Sequence, residues 1–176
     1  VLDPMTAYQI TSMMEGVVQR GTAAGKIKLD GRDVAGKTGT TNDEKDAWFV
    51  GFTPSLVAGL YVGYDSPVTL GRGGTGSGLA APVFNEFMQA ATKDQPPEKF
   101  QVPAGMTMMA VNRATGMAAQ PGDPSAIMEA FKPGTGPATS LQVIGGGEAA
   151  QVPPEEILRT SPQANQAVTS GSGGLF

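Results

Sequence analysis

Three apolar runs in close succession constrain this chain more than any other feature. They are Val34 to Thr41, Ala47 to Phe52 and Leu56 to Tyr64, rich in small, β-branched and aromatic residues that favour extended backbone. Only the polar turn Asn42-Asp43-Glu44-Lys45-Asp46 separates the first two, and only Thr53-Pro54-Ser55 the last two. Connections this short have no room for a crossover helix, so the pattern predicts an antiparallel meander and argues against βαβ units.

Helices flank the meander. Asp3-Pro4 supplies an N-cap and a proline for the first helical position. Ala7, Ile10, Met14 and Val17 then recur at helical spacing, with Met13 and Val18 widening the stripe, and Gly21 stands where the helix should stop. The Met-rich stripe reads as core packing. Thr22 to Lys28 reads as a connection and Asp30-Gly31 as a turn into the first strand. A second helix is expected from about Ala80 to Thr92, with Phe84, Phe87, Met88 and Ala91 on the face that covers the sheet. Segregated strands and helices of this kind give an α+β class, an antiparallel sheet flanked by helices.

Within the first strand, Gly36-Lys37-Thr38-Gly39-Thr40-Thr41 threads one cation and three hydroxyls through two glycines. Read backwards, Gly31 to Thr38 fits the phosphate-loop pattern of a nucleotidase, and Asp65 after the third strand is a tempting magnesium ligand. A phosphate loop must open into a helix, however. Here Arg32-Asp33-Val34-Ala35 puts an acid and no glycine inside the loop, and Gly39-Thr40-Thr41-Asn42-Asp43 starts a helix poorly. The extended reading wins. A second nucleotide pattern, Gly71-Arg72-Gly73-Gly74-Thr75-Gly76, lies between a strand and a helix. Its strand belongs to the meander and no second parallel strand follows, so a loop beside a cleft is the better reading.

Missing residue types narrow the chemistry. The sequence has no His and no Cys, which removes a Ser-His-Asp triad, a Cys nucleophile and a typical zinc site from this chain. Its net charge of −4, without a Lys/Arg cluster, argues against a nucleic-acid partner. No apolar run reaches the length of a membrane span. Eight of the eleven aromatics and only four of the fourteen prolines fall in residues 1–95, so that part carries the core. Gln95-Pro96-Pro97 marks its end. Residues 96–137 read as an extension: a strand Met106 to Val111, a turn Asn112 to Gly116, a partner near Met117, and a short helix Ser125 to Phe131 capped by Asp123-Pro124. Residues 138–176, rich in Gly, Pro, Ser and Gln, are expected to be mostly disordered.

A strand at the wall of a cleft can pair with an extended peptide, backbone to backbone. Gly39, without a Cβ, lets such a peptide come close. The Thr38 and Thr40 hydroxyls can bind a terminal carboxylate, with Lys37 as the opposing charge, and the Thr40 amide can form half an oxyanion hole. A half-exposed strand with a solvated lysine accounts for the same residues equally well.

The wider pattern tips that balance. Val1-Leu2-Asp3-Pro4, Met14 to Thr22, Ala35 to Asn42, Asp46 to Pro54, Val62-Gly63-Tyr64-Asp65 and Ala80 to Phe84 together resemble the C-terminal part of the transpeptidase domain of bifunctional (class A) penicillin-binding proteins of the 1A type. Arg113-Ala114-Thr115-Gly116 and Ala130 to Thr135 look like the extension those proteins carry. The resemblance implies the transpeptidase and serine β-lactamase-like fold, and serine acyl transfer onto peptidoglycan stem peptides ending in D-Ala-D-Ala. β-Lactams mimic that end. It assigns Lys37 to organising the S-x-N serine and the substrate carboxylate, and Thr38 and Thr40 to binding the carboxylate. It gives the Thr40 amide to the oxyanion hole, and Gly39, Thr41 and Asn42 to the rest of the substrate-binding stretch. It implies no metal or other cofactor. The parent protein would face the periplasm from the inner membrane of a Gram-negative cell, held only by an N-terminal anchor outside this chain.

One departure from the family is decisive. No serine in the sequence has a lysine three residues on or an asparagine two residues on, so the S-x-x-K and S-x-N motifs are both missing. The chain reads as a C-terminal fragment that supplies one cleft wall, lacks the nucleophile, and depends on the missing N-terminal part of the same protein. Alone it is expected to form no penicillin adduct and, with an uncovered sheet edge, to be poorly soluble. The alternatives are a serine β-lactamase or D,D-carboxypeptidase, a non-catalytic β-lactam-sensing module of the same fold, and, remotely, the nucleotidase.

Overall fold

The computed structural model describes residues 2–137. The first helix, α1, spans Pro4–Gln19, with the Asp3 carboxylate accepting from the Thr6 amide as an N-cap should. Three strands follow: β1 (Ala35–Thr40), β2 (Asp46–Phe52) and β3 (Val57–Gly63), in one antiparallel sheet of order β1-β2-β3. The turn between β1 and β2 is a short 3-10 segment, Asn42–Glu44, in which Asp43 and Glu44 hold positive φ of 62° and 51°. A π-helical turn, Gly76–Ala80, then leads into the second helix, α2 (Ala81–Ala91). Arg20 is the C-cap of α1, and Gly21 follows it at a position that only glycine fits, since a Cβ there would lie 2.8 Å from the Val17 Cα.

Strand alternation sorts the sheet into two faces. Phe49 points to the inner one, where it meets Phe84 of α2 at a ring-centroid distance of 4.7 Å. Ala23, Ile27, Leu29 and Val34 from the connection after α1 close this core, with Met88 beneath. The outer face carries Trp48, Val50, Val57 and Tyr61, all exposed to solvent. Both outer strands have one neighbour only, so among the described residues β1 and β3 each present an unpaired edge.

Several expectations are corrected. Ser125 to Phe131 is no helix: Ala126–Phe131 is strand β5, paired along its length with β4 (Thr107–Asn112). Asp123, read as a cap, accepts instead from the Ser125 amide and the Asn112 side chain in a turn. A helix of about seven residues repays its nucleation poorly, whereas β4 offers a complete ladder. The partner expected near Met117 is limited to an isolated bridge between Val111 and Ala118. On α2, Phe84 and Met88 are buried but Phe87 is 49% exposed and Ala91 is also at the surface, because the sheet touches a narrower stripe than the sequence suggested. On α1, Ile10 and Met13 lie exposed while Ser12 and Gly16 are buried, small residues where the helix approaches β1.

The β4–β5 hairpin lies along α1. The Gln9 amide donates to the Ala130 carbonyl at 3.0 Å, and ion pairs close each end, Arg20 with Glu129 at 2.7 Å and Lys132 with Asp3 at 3.0 Å. No described helix is long and apolar enough to cross a membrane. The disorder expected over 138–176 concerns residues outside those described.

Candidate active site

The geometry of β1 follows from its register. Thr41 N donates to Asp46 O, and Thr53 N donates to Leu56 O at the far end of β2. Bonded pairs alternate along an antiparallel ladder, so β2 bonds β1 opposite Lys37 and Gly39. The amides and carbonyls of Gly36, Thr38 and Thr40 therefore point to the open edge. The Thr40 N–H, which the sequence reading places in an oxyanion hole, is thus directed away from the sheet.

Side chains divide by the same alternation. Lys37 and Gly39 share the outer face with Trp48 and Val50, whereas Thr38 and Thr40 stand on the inner face, above the rim of the core. Lys37 is exposed, and its Nζ donates to the Thr38 carbonyl at 2.9 Å. Among the described residues it forms no ion pair, leaving its charge uncompensated by any carboxylate. The Thr38 hydroxyl lies 2.9 Å from the Thr22 hydroxyl, and the Thr40 hydroxyl accepts from the Gly76 amide at 3.1 Å. Thr41 and Asn42 sit differently. The Thr41 hydroxyl is engaged by the Asp46 amide and carboxylate, at 2.8 and 3.1 Å, which closes the β1–β2 turn, and Asn42 begins that turn.

The glycine-rich stretch around 71–78 packs on this strand. A Cβ on Gly76 would lie 2.3 Å from the Trp48 carbonyl and 2.6 Å from that of Gly39. The glycine therefore permits backbone-to-backbone contact, and this is the structural use of the second nucleotide pattern, Gly71 to Gly76. Sequence reasoning missed Thr22 and Ser77 altogether. The Ser77 hydroxyl donates to the Thr22 carbonyl and brings Thr22 to β1. The only signal was the glycine following the helix, which does not say where the next hydroxyl will point.

Other polar groups lie apart from β1. Glu15 on α1 has its carboxyl pushed up to about 7, first by burial and then by the charge of Asp33, against the opposing pull of Lys99 and Arg20. It lines a cavity of about 190 Å³ with Gln19, Arg32 and Asp33. No described group of acids, histidines or cysteines is arranged to hold a metal ion.

An antiparallel sheet backed by helices, whose edge strand displays a lysine and two threonines, is an α+β arrangement. The chain belongs to the penicillin-binding protein transpeptidase domain family, whose model matches residues 1–89. It is 54% identical over 132 residues to penicillin-binding protein 1A of Rickettsia bellii, spanning 75% of this chain and 16% of that protein. The corresponding protein of Pseudomonas aeruginosa is 42% identical over the same length. The crystal structure of penicillin-binding protein 1A from Haemophilus influenzae superposes with a TM-score of 0.65 at 34% identity, over 80% of this chain and 22% of that one. The family and the 1A type expected from the sequence are thereby established, and so is the α+β transpeptidase fold. The chain spans about a sixth of the length of the curated relatives it matches.

Proposed function

We propose that this chain forms one wall of the active-site cleft of a peptidoglycan D,D-transpeptidase, with β1 as the strand on which a stem peptide lies. The observation that carries the reading is the open edge of β1, where the Thr38 and Thr40 amides point outward beside two hydroxyls and an ammonium that, among the described residues, has no ion-pair partner. A peptide ending in D-Ala-D-Ala would pair with this edge, its carboxylate held by the Thr38 and Thr40 hydroxyls of the inner face, with Lys37 of the outer face reaching the edge at the Thr38 carbonyl to supply the charge.

The chemistry then divides between this chain and the remainder of the protein. A serine outside the chain attacks the penultimate D-Ala carbonyl carbon. Negative charge develops on the carbonyl oxygen, where the outward Thr40 N–H is a fixed donor. The peptide C–N bond breaks, the terminal D-Ala amine takes up a proton, and an acyl ester remains. The amine of a second stem attacks that ester, and the serine regains its proton. A β-lactam enters the same first step, but its leaving amine stays tethered. On this reading the parent faces the periplasm, and the chain alone, without a nucleophile, forms no adduct.

Labelling the full-length protein with a fluorescent penicillin, read after denaturation, tests the reading. A covalent band that Lys37→Ala abolishes supports it. A folded full-length protein with no band would turn the assignment to a non-catalytic sensor of the same fold. The isolated chain should stay unlabelled by intact mass, and a stoichiometric adduct would overturn its dependence on the rest of the protein.

A further inference from the structure

We infer that Thr22 is a positioning residue for carboxylate recognition, acting through the Thr38 hydroxyl as the Gly76 amide acts through that of Thr40. The inference rests on the carboxylate-site reading above and extends it to residues outside β1.

The argument concerns where hydroxyl hydrogens go. An amide N–H can only donate, so the Thr40 oxygen is the acceptor in its contact with Gly76 and its own hydrogen is left to donate elsewhere. Thr38 and Thr22 are two hydroxyls 2.9 Å apart, and either can be the donor. When Thr22 donates, Thr38 matches Thr40: each oxygen accepts from the protein and each hydrogen is available to an anion. A carboxylate accepts only, so its arrival selects this arrangement. The two threonines then form a fork of donors whose orientations are set from behind.

Thr22 is held firmly enough for this task. Its carbonyl accepts from the Ser77 hydroxyl, and its neighbour Ala23 is fully buried in the core. On its other side Gly21 sits against Val17, just past the C-cap of α1. Gly76 is held by its contact with the Gly39 and Trp48 backbone. The connection after α1 and the glycine-rich stretch thus converge on one strand edge, each supplying one donor to one threonine.

The test uses the full-length protein and compares acylation by benzylpenicillin with acylation by its methyl ester, which keeps the reactive ring and lacks the carboxylate. Thr22→Val retains the shape and removes the hydroxyl. It should weaken the non-covalent binding of the acid about tenfold and change the acylation rate at saturation by less than about twofold. The ester should be unaffected, and Thr22→Ser should restore the acid. Ser77→Ala, which frees the Thr22 carbonyl, should give a smaller loss of the same selectivity, and it carries the test should Thr22→Val fold poorly. Equal losses for acid and ester would mean a structural role and overturn the inference. So would an unchanged Thr22→Val beside a Thr38→Val that loses the acid. If neither Thr38→Val nor Thr40→Val alters the acid-to-ester ratio, the carboxylate site itself falls.

Discussion

Gly76→Ala gives a sharp test of how the glycine-rich stretch meets the sheet. The new methyl would lie 2.3 Å from the Trp48 carbonyl oxygen, 2.6 Å from that of Gly39 and 3.0 Å from the Gly39 nitrogen. All three are backbone atoms of paired strands, so no side chain can rotate away. An ordinary carbon–oxygen contact requires a retreat of about 1 Å. That movement would carry the Gly76 amide beyond hydrogen-bonding reach of the Thr40 hydroxyl, now 3.1 Å away. Overpacking costs roughly 1–3 kcal/mol and the lost hydrogen bond about 1 kcal/mol, so the expected destabilisation is about 2–4 kcal/mol. Urea unfolding followed through Trp48, the only tryptophan, measures it directly. Gly71→Ala is the contrast: its φ is +84° but nothing lies within 4 Å, so backbone strain alone should cost about 1 kcal/mol. If Gly76→Ala costs no more than Gly71→Ala, the close approach drawn here is wrong.

Other perturbations follow from the same structure. Phe49→Ala removes a fully buried ring from its contact with Phe84 and should destabilise by about 3–5 kcal/mol in the same assay, whereas Val57→Ala, on the exposed outer face, should stay within about 0.5 kcal/mol. Glu15, whose folded value of about 7 exceeds the ordinary 4.5, contributes stability in full below pH 4.5 and loses it as pH rises towards 7. The group is only half-buried, so solvent screening reduces the effect to about 1 kcal/mol, and Glu15→Gln should gain that much at pH 8 and little at pH 4. A double-mutant cycle on Arg20 and Glu129 should give a coupling of about 1 kcal/mol that weakens with salt, and zero coupling would detach the hairpin from α1 energetically. Asp3, with its carboxyl held below the usual range by Lys132 and Thr6, should keep its part in hairpin docking until the pH falls through that lowered value, read as chemical-shift changes at Lys132.

The sequence by itself determined the elements whose causes are local. Asp3 and Pro4 start α1 through their own geometry, and the short polar turns force β1, β2 and β3 to run antiparallel whatever surrounds them. Lys37, Thr38 and Thr40 were legible as candidates because strand alternation fixes their relative directions. Tertiary structure decided what depends on a distant partner. Asp123-Pro124 is an acceptable helix start, yet β4 turned residues 126–131 into a strand by offering a ladder that no local signal announces. Phe87 and Ile10 have the apolarity and spacing of core residues but are exposed, since burial is set by the width of the neighbouring surface. The pairing of Thr22 with Thr38, and of Gly76 with Thr40, joins segments 16 and 36 residues apart. A hydroxyl's role depends on which atom it faces, and only the folded chain decides that.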